Sequence, residues 1–246
     1  AIQAGLKGVN GMSYAYPGDA MGQFVVAEHS WNWAGRTLDD TFRVFALAQE
    51  VDDVSAQAQA YRLYDKVNRA QALHNTSGIG QPFGQHSRYF NMLQRICENE
   101  KVDELIMHIA DAMEDNELEM LAQGIQNLGR ALALADKKAD KIFAVRCQYL
   151  HHTLRATYAI ARAFYINCRE KSWDITKGDW NDFRIELQGL LEELEEEARL
   201  SAPLYEDLIH LEGWGPAYHI RPDPLSRTAD FSKTIDVNAI TSSRDV

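Results

Sequence analysis

The residues able to do chemistry in this chain fall into a few sets, and none makes a complete catalytic constellation. Residues 8–36, GVNGMSYAYPGDAMGQFVVAEHSWNWAGR, crowd Tyr14, Tyr16, Trp31 and Trp33 among glycines and set Glu28 beside His29. Aromatic rings of this kind offer stacking surfaces, and an adjacent carboxylate and imidazole offer proton transfer when both face a cleft. Because such pairs more often sit on an ordinary helix face, Glu28 and His29 are read as helix-face residues. Glu104 and His108 are four apart with Asp111 three further on, Asp207 and His210 are three apart, and His151 adjoins His152. A di-iron bundle requires a repeated Glu-x-x-His on facing helices, which is missing, so these groups read as satisfied or solvated and neither metal nor cofactor is expected. No G-x-S-x-G, phosphate-binding G-x-x-x-x-G-K-[ST] or H-E-x-x-H sequence occurs.

The elements that must position the aromatic set are short. Gly8 to Tyr14 is a run of apolar and small residues bounded by glycine, which predicts a buried strand. Tyr14 to Asp19 predicts a turn, with Pro17 biasing Tyr16 toward extended geometry and Gly18 permitting the reversal. Phe24 to His29 predicts a short apolar helix that breaks at Ser30 to Gly35.

This succession of a small-residue strand, Tyr14-Ala15-Tyr16-Pro17, an apolar helix with Ala27-Glu28, then Trp31-Asn32 and Gly35-Arg36-Thr37, resembles the last β/α unit of bacterial (β/α)₈-barrel glycoside hydrolases running into a helical C-terminal domain. The likeness covers about a fifth of the chain, a loose motif at the mouth of a barrel strand. It implies that Tyr14 and Tyr16, with Trp31, line a wall of a sugar subsite. It also implies that the catalytic carboxylate pair comes from earlier strands, outside these residues. A lone strand leaves its backbone donors and acceptors unpaired on both edges, so the remainder of the barrel is expected from the same precursor or another subunit. The opening Ala1 to Lys7, without an initiator methionine, suits a chain that begins inside a helix, and equally signal cleavage or trimming.

With 246 residues, 46% of them hydrophobic, the chain can bury a sizeable core in one or two domains. No apolar run approaches the roughly 20 residues of a membrane span. A net charge of −11, from 36 acids against 25 bases, argues against nucleic acid and anionic membranes as partners. Cys97, Cys147 and Cys168 are scattered without C-x-x-C, so buried thiols are expected rather than a disulfide framework. Secreted, periplasmic and cytoplasmic settings all remain compatible with this soluble composition.

Residues 1–36 read as the barrel unit, 37–216 as an α-helical domain and 217–246 as an extended tail. Thr37 is a predicted N-cap with an acid three residues on, followed by Phe42, Val44, Phe45 and Leu47 on one side. A break at Val51 to Asp53 precedes a helix from Ser55 to Leu73. Residues 75–84, with three glycines and a proline, predict the clearest internal loop. Helices follow over Tyr89 to Cys97 and Val102 to Met113, and a third that Asn116 can cap. The longest helix is predicted from Asp136 to Lys171, apolar on more than one side and therefore interior. Phe183, Leu187, Leu190, Leu191, Leu194 and Ala198 form a regular stripe, with Glu186, Glu192, Glu193, Glu195, Glu196 and Glu197 mostly on a solvated outer face. Pro203 is expected to restart the chain as a short separate helix.

The fold class is thus mainly α, a multi-helix bundle preceded by a β/α segment that would complete a barrel supplied elsewhere. Two functions from different classes follow. One is the C-terminal part of a glycoside-hydrolase-like protein, giving an aromatic wall to a glycan-binding cleft and a helical buttress to the barrel. The other is a self-contained structural or protein-interaction bundle without catalysis, and either could oligomerise.

Overall fold

The computed structural model describes residues 20–31, 35–69, 117–165 and 180–211, and these are built from six helices with no strand among the described residues. The predicted strand at 8–14, the turn at 14–19, the loop at 75–84, the helices at 89–97 and 102–113 and the tail at 217–246 lie outside the described residues, as do Cys97 and Cys168.

Helix α1 spans Ala20–Trp31. It starts earlier and ends later than the apolar run alone suggested, because Ala20, Met21 and Gln23 are themselves good helix formers and Ser30 does not stop a helix that is already propagating. Helix α2 spans Leu38–Ala48 and starts as its sequence predicts. Thr37 Oγ1 accepts the Asp40 amide at 3.2 Å and the Asp40 carboxylate accepts the Thr37 amide at 3.1 Å, a reciprocal capping box. Phe42 and Phe45 are buried, whereas Leu47 is 61% exposed. Two positions beyond Phe45 a helix has turned roughly 200°, so Leu47 leaves the face that buries Phe42 and Phe45. The helix ends at Gln49, and Glu50 takes a left-handed conformation with φ 55° to reverse the chain.

Helix α3, Val54–Arg69, is opened by Asp53, whose Oδ1 accepts the Ala56 amide at 2.9 Å. Beyond the undescribed stretch come α4, Glu117–Leu134, and α5, Lys141–Tyr165. Helix α6, Trp180–Leu211, is the longest among the described residues, at 32 residues. Two expectations are corrected here. The element expected from Asp136 onward begins at Lys141 instead, because Asp136 and Asp140 spend their carboxylates on a turn and a cap. Pro203 does not begin a new helix, since α6 passes through it. The buried stripe of Leu190, Leu194, Ala198, Ser201, Tyr205 and Leu208 keeps helical spacing across the proline, whose ring is exposed on the other side.

Each helix packs on its successor in the described set: α1 on α2, α2 on α3, α3 on α4, α4 on α5 and α5 on α6. Phe24 meets Phe45 while His29 meets Thr41, and Tyr149 meets Tyr205 while His152 meets Glu197, so α1 and α2, and α5 and α6, run antiparallel. An aromatic row stitches α1, α2, α3 and α5 together: Phe24, Phe45, Tyr61 and Phe143 have successive ring centroids 5.2, 5.2 and 4.7 Å apart. Such tilted and edge-on contacts add about 0.5–1.5 kcal/mol each beyond the area they bury. Helix α5 is interior as its sequence predicts: Phe143, Cys147, Leu150 and Leu154 are buried on one side and Val145, Tyr149 and Ala156 on another.

Candidate functional site

Among the described residues two polar clusters are buried, and both join helices. The first lies between α5 and α6. Glu197, its side chain 6% exposed, accepts from His152 Nδ1 on Oε2 at 2.6 Å and from Arg155 Nε on Oε1 at 2.8 Å. An ionised carboxylate only accepts, so His152 carries a proton on Nδ1. Desolvating a lone carboxylate costs several kcal/mol, and here each oxygen has its own donor. Glu197 was expected on the solvated face with its neighbours. Its spacing carried the signal: it is three residues past Leu194 and seven past Leu190, on the buried stripe.

His151 is half-buried beside this pair, its ring centroid 6.0 Å from that of His152. Burial first, then the positive charges of His152 and Arg155, hold its pKa below the usual imidazole range, while Glu197 acts in the opposite direction. Nearby hydroxyls are committed to the helices themselves: Thr153 donates to the Tyr149 carbonyl at 3.0 Å, Thr157 to Thr153 at 2.8 Å and Ser201 to Ala198 at 3.2 Å. Burial pushes the Cys147 thiol far up from its ordinary value, which leaves it a core side chain rather than a nucleophile.

The second cluster ties the start of α3 to the α4–α5 turn. Tyr61 donates to Asp140 Oδ2 at 2.5 Å, and Asp140 Oδ1 accepts the Phe143 amide at 3.1 Å. Gln57 Oε1 accepts the Asp136 amide at 2.7 Å, and the Asp136 carboxylate accepts the amides of Asp52, Lys138 and Ala139. Those amides, Ala139 foremost, hold the Asp136 carboxyl below the usual carboxylate range. Burial and then the Asp140 charge drive the Tyr61 phenol far above its ordinary pKa, so it remains a hydrogen-bond donor. Gln57 stands close enough to oppose this rise, although its Nε2 makes no hydrogen bond of normal geometry among the described residues.

Of the residues singled out in the sequence, Tyr14 and Tyr16 lie outside the described residues, as do Glu104, His108 and Asp111. Trp31 is the last residue of α1, and its side chain lies outside the described part. Glu28 and His29 are on a helix face turned toward α2: Glu28 pairs with Arg36, and His29 Nε2 meets Thr41 Oγ1 at 3.2 Å. Thr41 gives its hydroxyl proton to the Thr37 carbonyl, so His29 is the donor to Thr41. Asp207 and His210 are exposed near the end of α6, apart from the histidine pair of α5. No group of three or more His, Cys, Asp or Glu suited to a metal is found among the described residues, and no described helix is long and apolar enough to cross a membrane.

The first cluster pairs a buried carboxylate with basic groups and the second satisfies one with neutral donors, and both fix one helix against another. No family model, curated protein or solved structure matches this chain.

Proposed function

We propose that this chain is the C-terminal part of a glycoside-hydrolase-like protein, in which α1 belongs to the last barrel unit and α2 to α6 form a helical buttress. The observation that supports this reading is the two-sidedness of α1. Phe24 docks on Phe45 of α2, and Glu28 and His29 reach Arg36 and Thr41, while Phe24, Val25, Val26 and Ala27 are consecutive and so spread apolar surface round the helix. A helix that is apolar on more sides than its neighbour covers is suited to burial between two layers, as barrel helices are when an outer domain leans on them. On the family resemblance, Tyr14, Tyr16 and Trp31 supply an aromatic wall to a glycan cleft whose acid pair lies outside these residues.

A second reading, a self-contained structural or protein-interaction bundle, is favoured by the continuous core of α2 to α6 and by the structural use of its buried polar groups. Intact-mass measurement of the native material, with sequencing of whatever copurifies, separates the two. The hydrolase reading expects a longer polypeptide or a companion bearing the barrel strands, and weakened oligosaccharide binding in that material when Tyr14, Tyr16 or Trp31 is changed to Ala. A mass equal to this chain alone with no companion, together with cooperative melting of the isolated chain, would leave the interaction bundle standing.

A further inference from the structure

We propose that the adjacent histidines of α5 form an acid-responsive joint, in which His152 clasps α6 through Glu197 while His151 sits at the α4 contact and loosens that contact on taking up a proton. The inference is independent of any carbohydrate reading.

Neighbouring residues on a helix point roughly 100° apart, so two consecutive side chains can serve two different partner helices. His152 reaches α6, where Nδ1 lies 2.6 Å from Glu197 Oε2. His151 reaches α4, where a Cβ added at Gly129 would stand 4.0 Å from His151 Nε2. The His151 ring therefore lies beside α4 at Gly129, where an alanine methyl would just reach it. Among the described residues, the charged or titratable groups facing His151 are His152 and Arg155 from α5 and Glu197 from α6, and the α4 neighbour Gly129 brings no charge. Glu197 is the one acid in this set, and both its oxygens are already engaged by His152 and Arg155. A proton added to His151 thus places a partly desolvated cation beside two basic groups with no carboxylate oxygen of its own.

His152 differs from its neighbour in having a carboxylate partner, Glu197 Oε2 at 2.6 Å from its Nδ1, on α6. Acid therefore leaves the α5–α6 clasp in place while it opposes the α4–α5 contact. The sign follows from linkage: a histidine whose folded pKa is depressed contributes stability that is intact above the unfolded value, about 6.5, and declines as pH falls below it.

Hydrogen–deuterium exchange of the full chain at about pH 7.5 and about pH 5.5, corrected for intrinsic exchange, tests the joint. Protection of α4 amides is expected to fall by roughly threefold or more at the lower pH, with a smaller change in the part of α6 around Glu197. His151→Gln, neutral at both pH values, should abolish the α4 response. Equal protection of α4 at the two pH values, an equal loss in α4 and α6, or an undiminished response in His151→Gln would each overturn the proposal. Imidazole titration of the unaltered chain by NMR supplies a reading that needs no variant: His151 is expected to titrate below the ordinary range, and a midpoint at or above it would also overturn the joint.

Discussion

Tyr61 and Asp140, 79 residues apart, share a 2.5 Å hydrogen bond in which the phenol donates to Oδ2 of a carboxylate whose Oδ1 caps α5 at the Phe143 amide. One side chain thereby starts a helix and sets where that helix lies against α3. The aromatic ring takes part as well, since Tyr61 meets Phe143 edge-on and touches Phe42 and Phe45 of α2. Local capping, long-range packing and a buried charge are settled at one point.

Removing the phenolic hydroxyl should therefore be felt beyond one hydrogen bond. Tyr61→Phe keeps the ring but leaves Asp140, 7% exposed, with one donor fewer for a charged oxygen. The expected loss is about 1–3 kcal/mol, read as a lower denaturant midpoint. Asp140→Ala should lose more, because it also uncaps α5. A Tyr61→Phe midpoint within about 0.5 kcal/mol of the unaltered protein would mean that the carboxylate is satisfied without the phenol.

Alkaline titration tests the same pair without a variant. The folded phenol has its pKa raised by burial and by Asp140, so the fold keeps a proton that the unfolded chain gives up near its ordinary value of about 10. Stability from this group is complete below that pH and is lost as pH rises above it. Phenolate absorbance should leave Tyr61 untitrated until the protein unfolds, and Tyr61→Phe should remove one late-titrating phenol. If all phenols titrate together in the folded protein, Tyr61 is not buried against Asp140.

The helical character was legible because local and long-range signals agreed. Thr37 and Asp40 announce a capping box by type and spacing, and Leu190, Leu194 and Ala198 announce a buried stripe. Three things were not legible for physical reasons. Pro203 ends helices as a rule, but its ring falls on the exposed side of a stripe that continues through Tyr205 and Leu208, and tertiary packing overrides its local preference. Glu197 has the spacing of the buried stripe, but it stands among solvated glutamates, and the partners that make a buried carboxylate tolerable there, His152 and Arg155, lie on another helix. Asp140 looks like one more acid in a charged turn, and its importance depends on Tyr61, far away along the chain. The aromatic set of Tyr14, Tyr16 and Trp31 gains no described side-chain geometry, so its role continues to stand on the resemblance alone.

The capping box makes a smaller and more local prediction. Thr37→Ala removes the acceptor of the Asp40 amide and the hydroxyl bonded to its carboxylate at 2.6 Å. A loss of about 1 kcal/mol is expected, the usual worth of an N-cap. Hydrogen bonds from the Thr37 side chain and backbone hold the Asp40 carboxyl below the usual range, so the box works above that range and weakens as pH falls through it. Thr37→Ser should retain most of the stability in a thermal melt. An equal loss in both variants would assign the effect to the threonine methyl instead of the cap.

Pro203 offers a prediction in the stabilising direction. It has no amide hydrogen, so the Arg199 carbonyl one turn earlier lacks its helical donor, and the ring crowds that same carbonyl. Against this, proline stiffens the unfolded chain, a benefit of about 0.4–1 kcal/mol. The helix-interior penalty is larger, about 3 kcal/mol, and the exposed ring contributes little packing to offset it. Pro203→Ala should therefore raise the stability read from denaturant unfolding by about 2 kcal/mol on balance, with the circular dichroism of the native state little changed. The buried residues flanking it, Ser201 and Tyr205, stay in register either way, and Tyr205 keeps its place 5.9 Å from Tyr149. A lowered midpoint would mean that the local geometry imposed by the ring is what seats Tyr205, Leu208 and Ile209 against α5, and the proline would then be a fitted part of the interface rather than a tolerated defect.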